Sequence, residues 1–233
     1  MYHPFTIGGT LKTSWDLFKR NFAVIVVFTL IALIAVLFFA FWTYFFWDGS
    51  YLGIFFAFLL LLVIVISFLA FMKLVFSLLD NPYFEIRFKD IIPNIRMIGS
   101  YLILLFLLSA IMVFAGDAIS RIAHPLTQKI LNGLIGYLYQ FFTLFYFPLC
   151  NCFIVDDQSG PFESLGQSFR LIKGNIIKYF ILFLIVEGLI FVGSLTLVGI
   201  LLAIPIINII LAVTYRKLIY SHQDIDDDIA ETN

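Results

Sequence analysis

The chain has 233 residues, of which 62% are hydrophobic and 12% are charged, and its mean hydropathy is +1.05. These proportions lie far outside those of soluble proteins and indicate a polytopic membrane protein. The formal net charge of -1 supplies no overall positive field, so we expect no nucleic-acid partner. Nothing in the bulk composition implies a cofactor.

Six apolar segments are long enough to cross roughly 30 Å of hydrocarbon as helices. In chain order they are Phe22–Trp47, Tyr51–Phe76, Met97–Gly116, Ile130–Val155, Ile176–Gly193 and Val198–Ile219. The residues before Phe22 are polar, and no small-residue cleavage motif follows the first segment, so we expect that segment to stay as an anchor. The sequence therefore predicts an all-α integral membrane protein with six transmembrane helices.

The basic residues predict the orientation of these spans. Twelve of the fourteen lysines and arginines fall on the side that also holds both termini. They are Lys12, Lys19, Arg20, Lys73, Arg87, Lys89, Arg96, Arg170, Lys173, Lys178, Arg216 and Lys217. Only Arg121 and Lys129 fall on the other side. Because cytoplasmic loops carry an excess of lysine and arginine, we expect both termini in the cytoplasm.

An apolar stripe just before the first span recurs twice, at intervals of 77 residues. The three stripes are Leu11, Trp15, Phe18 and Phe22, then Phe88, Ile92, Ile95 and Gly99, then Leu165, Phe169, Ile172 and Ile176. The spacings follow one face of a helix, and a base comes directly after the third member of each stripe, at Lys19, Arg96 and Lys173. We expect the stripes to dip into the headgroup boundary while these bases contact lipid headgroups.

The stripes predict three pseudo-repeated units, each an interfacial amphipathic helix followed by a helical hairpin. The units cover about residues 8–79, 84–155 and 162–219. Together they form a single six-span membrane domain of residues 1–220. An acidic cytoplasmic tail, residues 221–233, follows; we expect it to be disordered, with docking to a basic partner as the lesser alternative. The second copy is the weakest, since Gly99 interrupts its stripe and Pro93 restricts its start. A simpler interpretation stays open, in which bases crowd cytoplasmic loops and align by coincidence.

The first and third copies match beyond this pattern. Leu11–Asn21 and Leu165–Asn175 share leucine, serine, an aromatic residue, leucine, lysine and asparagine at corresponding positions. Asparagine after the last turn suits a helix end that must bend sharply into the bilayer. We therefore expect a similar corner at Asn21 and at Asn175.

Four strings in the last part of the chain carry a resemblance to a known family. They are Pro161–Leu165, Ser168–Asn175, Gly199–Pro205 and Tyr215–Leu218. The chain resembles a group of bacterial six-span membrane proteins that includes the YciC-like proteins and the membrane domain fused to some glycerophosphoryl diester phosphodiesterases. This resemblance implies the six-span fold and a bacterial cytoplasmic membrane. Members of the group mostly lack an assigned activity, and no phosphodiesterase catalytic domain is present here, so we do not carry that activity over.

Residues with catalytic or metal-binding spacing are missing from the sequence. The three histidines, His3, His124 and His222, lie near different ends of the predicted molecule. Asp156 and Asp157 fit a solvated turn better than a cation site, since no further acid is spaced for ligation. Cys150 and Cys152 are two residues apart and are expected to be buried, reduced thiols. We expect no enzyme, no metal site and no cofactor.

Glu187 is the one ionisable residue deep in a predicted span. A charge at that depth costs on the order of 3 kcal/mol, so the carboxyl should be protonated, paired or facing water. Asn208 reaches the same depth if the fifth and sixth spans are antiparallel neighbours. We favour a protonated carboxyl hydrogen-bonded to the Asn208 amide as a contact between helices. A polar site on a transport path is the alternative.

These observations predict a non-enzymatic integral membrane protein, a lipid-associated structural or accessory component of the bacterial cytoplasmic (inner) membrane. Its expected partners are membrane lipids, and other membrane proteins are further candidates. The alternative is a small proton- or substrate-coupled transporter that uses Glu187, and an intramembrane enzyme ranks third. A transporter requires a polar cavity that reaches Glu187, whereas an accessory protein should seal that residue by packing.

Overall fold

A computed structural model describes residues 5–47, 49–80, 88–122 and 124–231, and the regular structure in these ranges is helical. The helices are α1 (Ile7–Arg20), α2 (Phe22–Phe45), α3 (Tyr51–Asp80), α4 (Phe88–Ile91), α5 (Ile95–Ser120), α6 (Pro125–Phe145), α7 (Phe147–Asp156), α8 (Pro161–Ile172), α9 (Ile176–Ser194) and α10 (Leu197–Glu231). Long apolar runs form helices in lipid because a helix satisfies its own backbone polar groups.

Within the described residues, six helical segments are long and apolar enough to cross a membrane. They are Phe22–Phe45, Tyr51–Asp80, Lys89–Ser120, Pro125–Asp156, Ile176–Ser194 and Val198–Ser221. The predicted all-α class with six spans is confirmed, and the chain is a multi-pass membrane protein. The predicted and observed spans begin at the same residue in four cases, because the polar residues that precede an apolar run mark its start well.

The helices divide into two compact units. The first contains the chain up to Asn94 and again from Leu171 onward, and the second contains Ile95–Arg170. The sequence predicts three units within one domain, and the two divisions differ because compactness follows helix packing whereas the predicted units follow the stripes. The start of the predicted second unit, residues 84–87, lies outside the described residues.

In the first unit, α2 and α3 form a hairpin whose loop end is filled by aromatic rings. Trp42 stacks on Phe56 with ring centroids 5.7 Å apart, and Phe46 stacks on Phe56 at 5.3 Å. At the other end of α3, the rings of Phe76 and Tyr215 meet edge to face at 5.6 Å, which joins this hairpin to α10. Aromatic pairs of this geometry add to packing beyond their buried area.

Helices α9 and α10 form the second hairpin of the first unit. A Cβ atom added to Gly193 would lie 2.6 Å from the Cβ of Ala203 and 3.2 Å from the carbonyl oxygen of Gly199. A side chain at Gly193 would therefore push the two helices apart, which is the usual role of small residues between membrane helices. The short connection between α9 and α10 depends on this close approach.

Helix α1 packs against the α9–α10 hairpin. Its residues Ile7 and Leu11 contact a buried cluster formed by Leu182, Val186 and Ile210. The apolar stripe of α1 is thus shared between protein and surroundings: Leu11 and Phe18 turn inward, whereas Trp15 is 47% exposed. The first stripe anchors α1 to its own unit as well as presenting an aromatic ring outward.

In the second unit, α5, α6 and α7 pack against one another, and most of α8 belongs to the same unit. Tyr101 of α5 lies 5.7 Å from Phe147 of α7, measured between ring centroids. Phe169 of α8 lies 4.4 Å from the ring of Tyr146, between α6 and α7. Aromatic contacts therefore hold α8 against the junction of α6 and α7.

The second predicted amphipathic helix is not continuous. Within the described residues, helix α4 covers Phe88–Ile91, and α5 starts at Ile95 after a break that contains Pro93. Proline disfavours helical dihedrals in the residue before it, so the helix ends there. Arg96 consequently lies in the first turn of α5, just after this break.

The fourth span is interrupted where the sequence predicts one helix over Ile130–Val155. Helix α6 ends at Phe145, and α7 begins one residue later at Phe147. Pro148 explains the interruption, because it has no N–H to donate and its ring clashes with the preceding turn. The hydropathy pattern gives no sign of this break, because apolar residues continue on both sides of it.

Helix α10 continues beyond the sixth span to Glu231, where the sequence predicts a disordered acidic tail. Adding residues to an existing helix needs no new nucleus, so a polar segment can extend a helix that the membrane-embedded part has already formed. The tail is helical as far as Glu231, and residues 232–233 lie outside the described residues.

Candidate functional site

Glu187 lies eleven residues after the start of α9 at Ile176, about 16 Å along the helix at roughly 1.5 Å per residue. Its side chain is half-buried. The face of α9 that packs in the first unit contains Leu182 and Val186, and Glu187 is turned roughly 100° from Val186 around the helix. Among the residues that the structure describes, none forms a hydrogen bond or ion pair with its carboxyl.

Asn208 lies on α10 and is 8% exposed. Its side-chain amide donates a hydrogen bond to the backbone carbonyl of Ile204 at 2.9 Å, one turn earlier on the same helix. The structure does not bring Glu187 and Asn208 into a hydrogen bond within the described residues. The reason is rotational, because apolar side chains occupy the α9 face that turns toward α10.

The three bases proposed for lipid headgroups, Lys19, Arg96 and Lys173, are all exposed. They differ in their surroundings. The Lys19 ammonium lies 5.1 Å from the centre of the Trp15 ring, on the last turn of α1. Lys173 follows the end of α8, and Arg96 lies in the first turn of α5. Only Lys19 and Lys173 therefore occupy comparable places, each beside the end of a helix that leads into a span.

Those two places are built alike. We call α1, Asn21 and the start of α2 the first corner, and α8, residues 173–175 and the start of α9 the second corner. The buried residues of α1 are Thr10, Ser14, Leu17 and Phe18, and those at the matching positions of α8, each 154 residues later, are Ser164, Ser168, Leu171 and Ile172. The exposed ring also recurs, with Trp15 47% and Phe169 43% exposed.

Hydrogen bonds repeat between the corners too. The Ser14 hydroxyl donates to the Thr10 carbonyl at 2.8 Å, and the Ser168 hydroxyl donates to the Ser164 carbonyl at 2.7 Å. Asn21 has φ -112° and ψ 21°, and Asn175 has φ -124° and ψ 19°. The two asparagines thus adopt nearly the same backbone dihedrals, and a span begins at the residue after each of them.

Each corner helix accepts a side-chain hydrogen bond from another segment, at the matching positions 13 and 167. Lys217 of α10 donates from its ammonium to the Thr13 hydroxyl at 3.3 Å. In the other corner, the buried Ser159 hydroxyl donates to the Gln167 side-chain oxygen at 3.0 Å. The donor differs between the corners, but the hydrogen bond is made at the same position of the helix.

A second charged contact near Lys217 was missed by the sequence analysis. The Arg216 guanidinium lies 2.7 Å from the Asp80 carboxylate and 5.1 Å from the centre of the Phe76 ring. The Arg216 side chain is only 22% exposed, so water screens the pair less than it would a surface pair. Opposite charges near the ends of two apolar runs, on the same predicted side, were the available signal.

Lys73 likewise has a structural role. Its ammonium donates to the backbone carbonyl of Ile92 at 2.9 Å. Ile92 lies in the break between α4 and α5, where its carbonyl has no partner one turn ahead in a helix. A base near the end of α3 thus stabilises the irregular backbone that Pro93 creates.

The interrupted fourth span holds polar groups near its break. Asn151 of α7 is 3% exposed, and its side-chain oxygen is buried without a hydrogen-bond partner among the described residues. The Thr143 hydroxyl of α6 is in the same state. Cys150 and Cys152 of α7 are buried thiols, as predicted. A buried amide oxygen without a partner costs roughly 1–3 kcal/mol and calls for an explanation.

Comparison with protein-family models, with curated proteins and with solved structures found no match to this chain.

Proposed function

We propose that this multi-pass membrane protein is a non-enzymatic, lipid-associated structural or accessory component of the bacterial cytoplasmic membrane. In the proposed architecture, α1 and α8 are interfacial amphipathic helices, and each leads a pseudo-repeated unit into the bilayer. The observation that carries this proposal is the likeness of the two corners, which bury the same four positions and expose the same aromatic position.

The exposed residues of the corners support a position at the headgroup level. Trp15 presents an amphipathic ring beneath the Lys19 ammonium, and aromatic residues of this kind favour the membrane–water boundary. Lysine side chains there lay their methylene stems on apolar surface and place the charge near phosphate. The proposed partners are therefore membrane lipids, with anionic headgroups at Lys19 and Lys173.

The lipid proposal is tested by counting the anionic lipids that stay bound after gentle extraction, by native mass spectrometry. We expect the Lys19→Gln/Lys173→Gln variant to retain fewer anionic lipids than the parent, and Arg96→Gln alone to change the count less. Lys129→Gln is the matched control, because Lys129 is exposed but lies on the opposite side of the predicted membrane. Equal retention by the double variant and the parent would refute the proposal.

The bacterial location and the YciC-like resemblance are parts of the same proposal, as is the orientation with both termini in the cytoplasm. The twelve-to-two division of the bases supports that orientation. Single cysteines at Gly49 and Thr196, in a chain without Cys150 and Cys152, should react with an impermeant maleimide from outside the cell. A cysteine at Gln223 should not react, and its labelling in intact cells would overturn the orientation.

A transporter is the second candidate function, favoured by the interrupted fourth span. Carriers often use interrupted helices near the middle of the membrane, where exposed backbone and polar side chains hold the cargo. Here Thr143 and Asn151 flank the break, with buried oxygen atoms that lack partners among the described residues.

This candidate predicts proton flux into vesicles that contain the purified protein, and Glu187→Gln should abolish the flux without loss of stability. Glu163→Gln, outside the spans, is the control; flux that persists in Glu187→Gln would contradict proton coupling at Glu187.

A further inference from the structure

One face of α9 is exposed and apolar apart from a single carboxyl. Leu184 is 52% exposed and Phe191 is 69% exposed, and they lie one turn apart from Glu187 and Gly188 on the same side of the helix. The opposite face carries the residues that pack in the first unit, including Leu182 and Val186. We call Leu184, Gly188 and Phe191, which are exposed, together with the half-buried Glu187 the α9 outer face.

The α9 outer face is poorly suited to contact lipid alone. Glu187 lies near the middle of a span and has no hydrogen-bond partner among the described residues. A carboxyl in hydrocarbon is costly unless another group shares its proton or accepts its hydrogen bond. Gly188 adds room for a neighbour, because a Cβ atom placed there meets nothing within 4 Å. A glycine beside a polar side chain is the combination that lets membrane helices approach and bond.

We propose that the α9 outer face joins two copies of this chain about a two-fold axis along the membrane normal, with Glu187 paired to Glu187 of the partner subunit. Two copies inserted in the same orientation place this residue at the same depth. A protonated carboxyl has one donor and a free acceptor oxygen, so two of them related by a two-fold axis satisfy each other. Lysine and arginine have donors only and could not pair with their own copies in this way. Because a carboxyl can, a second copy of this chain fits the α9 outer face.

This inference is independent of the proposed lipid association, and disulfide trapping in native membranes tests it directly. The reporter is Gly188→Cys in a Cys150→Ser/Cys152→Ser chain. The matched control is Ile34→Cys in the same chain, because Ile34 is 67% exposed and follows the start of α2 by twelve residues, as Gly188 follows the start of α9. Random collisions at equal depth therefore affect both cysteines alike.

We expect oxidation to yield a disulfide dimer of the Gly188→Cys chain about tenfold faster than of the Ile34→Cys chain, as interhelical hydrogen bonds in lipid would produce. Adding Glu187→Gln to the reporter should preserve the dimer, since an amide also has both a donor and an acceptor. Adding Glu187→Leu should lower dimer formation to the level of the control.

The outcomes separate the proposal from its rivals. Equal trapping of the two cysteines would overturn it, as would a Glu187→Leu reporter that still forms the dimer as fast as the parent reporter. A crosslinked product whose mass differs from two copies of the chain would instead identify another membrane protein as the occupant. The comparison of Gly188→Cys with Ile34→Cys retains the native carboxyl, so the test does not depend on the folding of a Glu187 variant.

Discussion

The first corner and the second corner bury the same four positions, yet they end their helices differently. Helix α1 continues to Arg20, and one residue, Asn21, separates it from α2. Helix α8 ends earlier, at Ile172, and three residues lead to α9, among them Gly174 with φ +102°. Gly174 occupies the position that corresponds to Arg20. The apolar pattern thus sets which face of each helix is buried, while the residue at one turn position sets where the helix stops.

The corners also differ in what holds them. The first is tied by a charged donor, Lys217, from a distant helix, whereas the second is tied by Ser159, only eight residues before Gln167. The exposed rings differ in the same sense. Trp15 lies beside Lys19 on its own helix, and Phe169 packs on Tyr146 of another part of the second unit. Equivalent positions therefore make different contacts. Substitutions at those positions measure how much each contact contributes to stability.

The largest effect is expected where the corners agree most. Ser14 and Ser168 are 2% and 0% exposed, so Ser14→Leu and Ser168→Leu should each force the surrounding helices apart. Overpacking of this kind costs about 2–3 kcal/mol. Denaturant titration of the purified protein in detergent micelles measures the loss.

The matched controls for the serine substitutions are Asp16→Leu and Arg170→Leu, at exposed positions that correspond between the corners. They should change the free energy of unfolding by no more than about 0.5 kcal/mol. The two serine variants should lose similar amounts of free energy of unfolding. If their losses differed from each other by more than they differ from the controls, the two corners would not be equivalent in packing.

A smaller effect should separate the helix ends. Gly174→Ala places a side chain at φ +102°, which costs about 1–2 kcal/mol. Arg20→Ala, at the corresponding position inside α1, should leave stability nearly unchanged because the backbone there is helical and alanine is a good helix former. Thermal unfolding of the two variants side by side checks this, and equal midpoints would mean that the positive φ of Gly174 carries no cost.

Loss of the hydrogen bond at position 13 or at position 167 should lower the free energy of unfolding by less. Lys217→Met keeps much of the apolar stem but removes the hydrogen bond to Thr13, and we expect a loss of about 1 kcal/mol. Gln167→Leu should cost a similar amount by leaving the buried Ser159 hydroxyl without its acceptor. Thr13→Val in the Lys217→Met background should add little, and a fully additive loss in this double-mutant cycle would show that the two side chains do not interact.

The smallest expected effect concerns the exposed rings. Phe169→Ala should lower stability by about 0.5 kcal/mol, since it removes a ring pair with Tyr146. Trp15→Ala should change stability in detergent by less, but it should weaken binding of an isolated α1 peptide to vesicles that contain anionic lipid, measured by fluorescence or circular dichroism. A peptide that binds equally well without Trp15 would remove the support that this ring gives to an interfacial α1.

Length and hydropathy alone identified the six spans, because roughly 20 apolar residues in lipid have no alternative to a helix. The first and third stripes predicted helices, which are α1 and α8, and the shared asparagines predicted that these helices end near Asn21 and Asn175. The second stripe did not predict the break at Pro93, which divides it between α4 and α5. Pro148 divides the fourth span between α6 and α7, and α10 extends to Glu231, into the segment for which the sequence predicts disorder.

The order of apolar and polar residues along the chain was enough to give the membrane class, the number of spans and the position of Glu187 along the fifth span. Tertiary structure alone decided which way that carboxyl turns. A rotation of roughly 100° per residue is enough to move Glu187 from the packed face of α9 to its exposed side, and the packing of Leu182 and Val186 against Ile210 sets that rotation. The contacts of Arg216 with Asp80 and of Lys217 with Thr13 were equally out of reach, because each joins residues more than 130 positions apart whose proximity depends on how the helices pack.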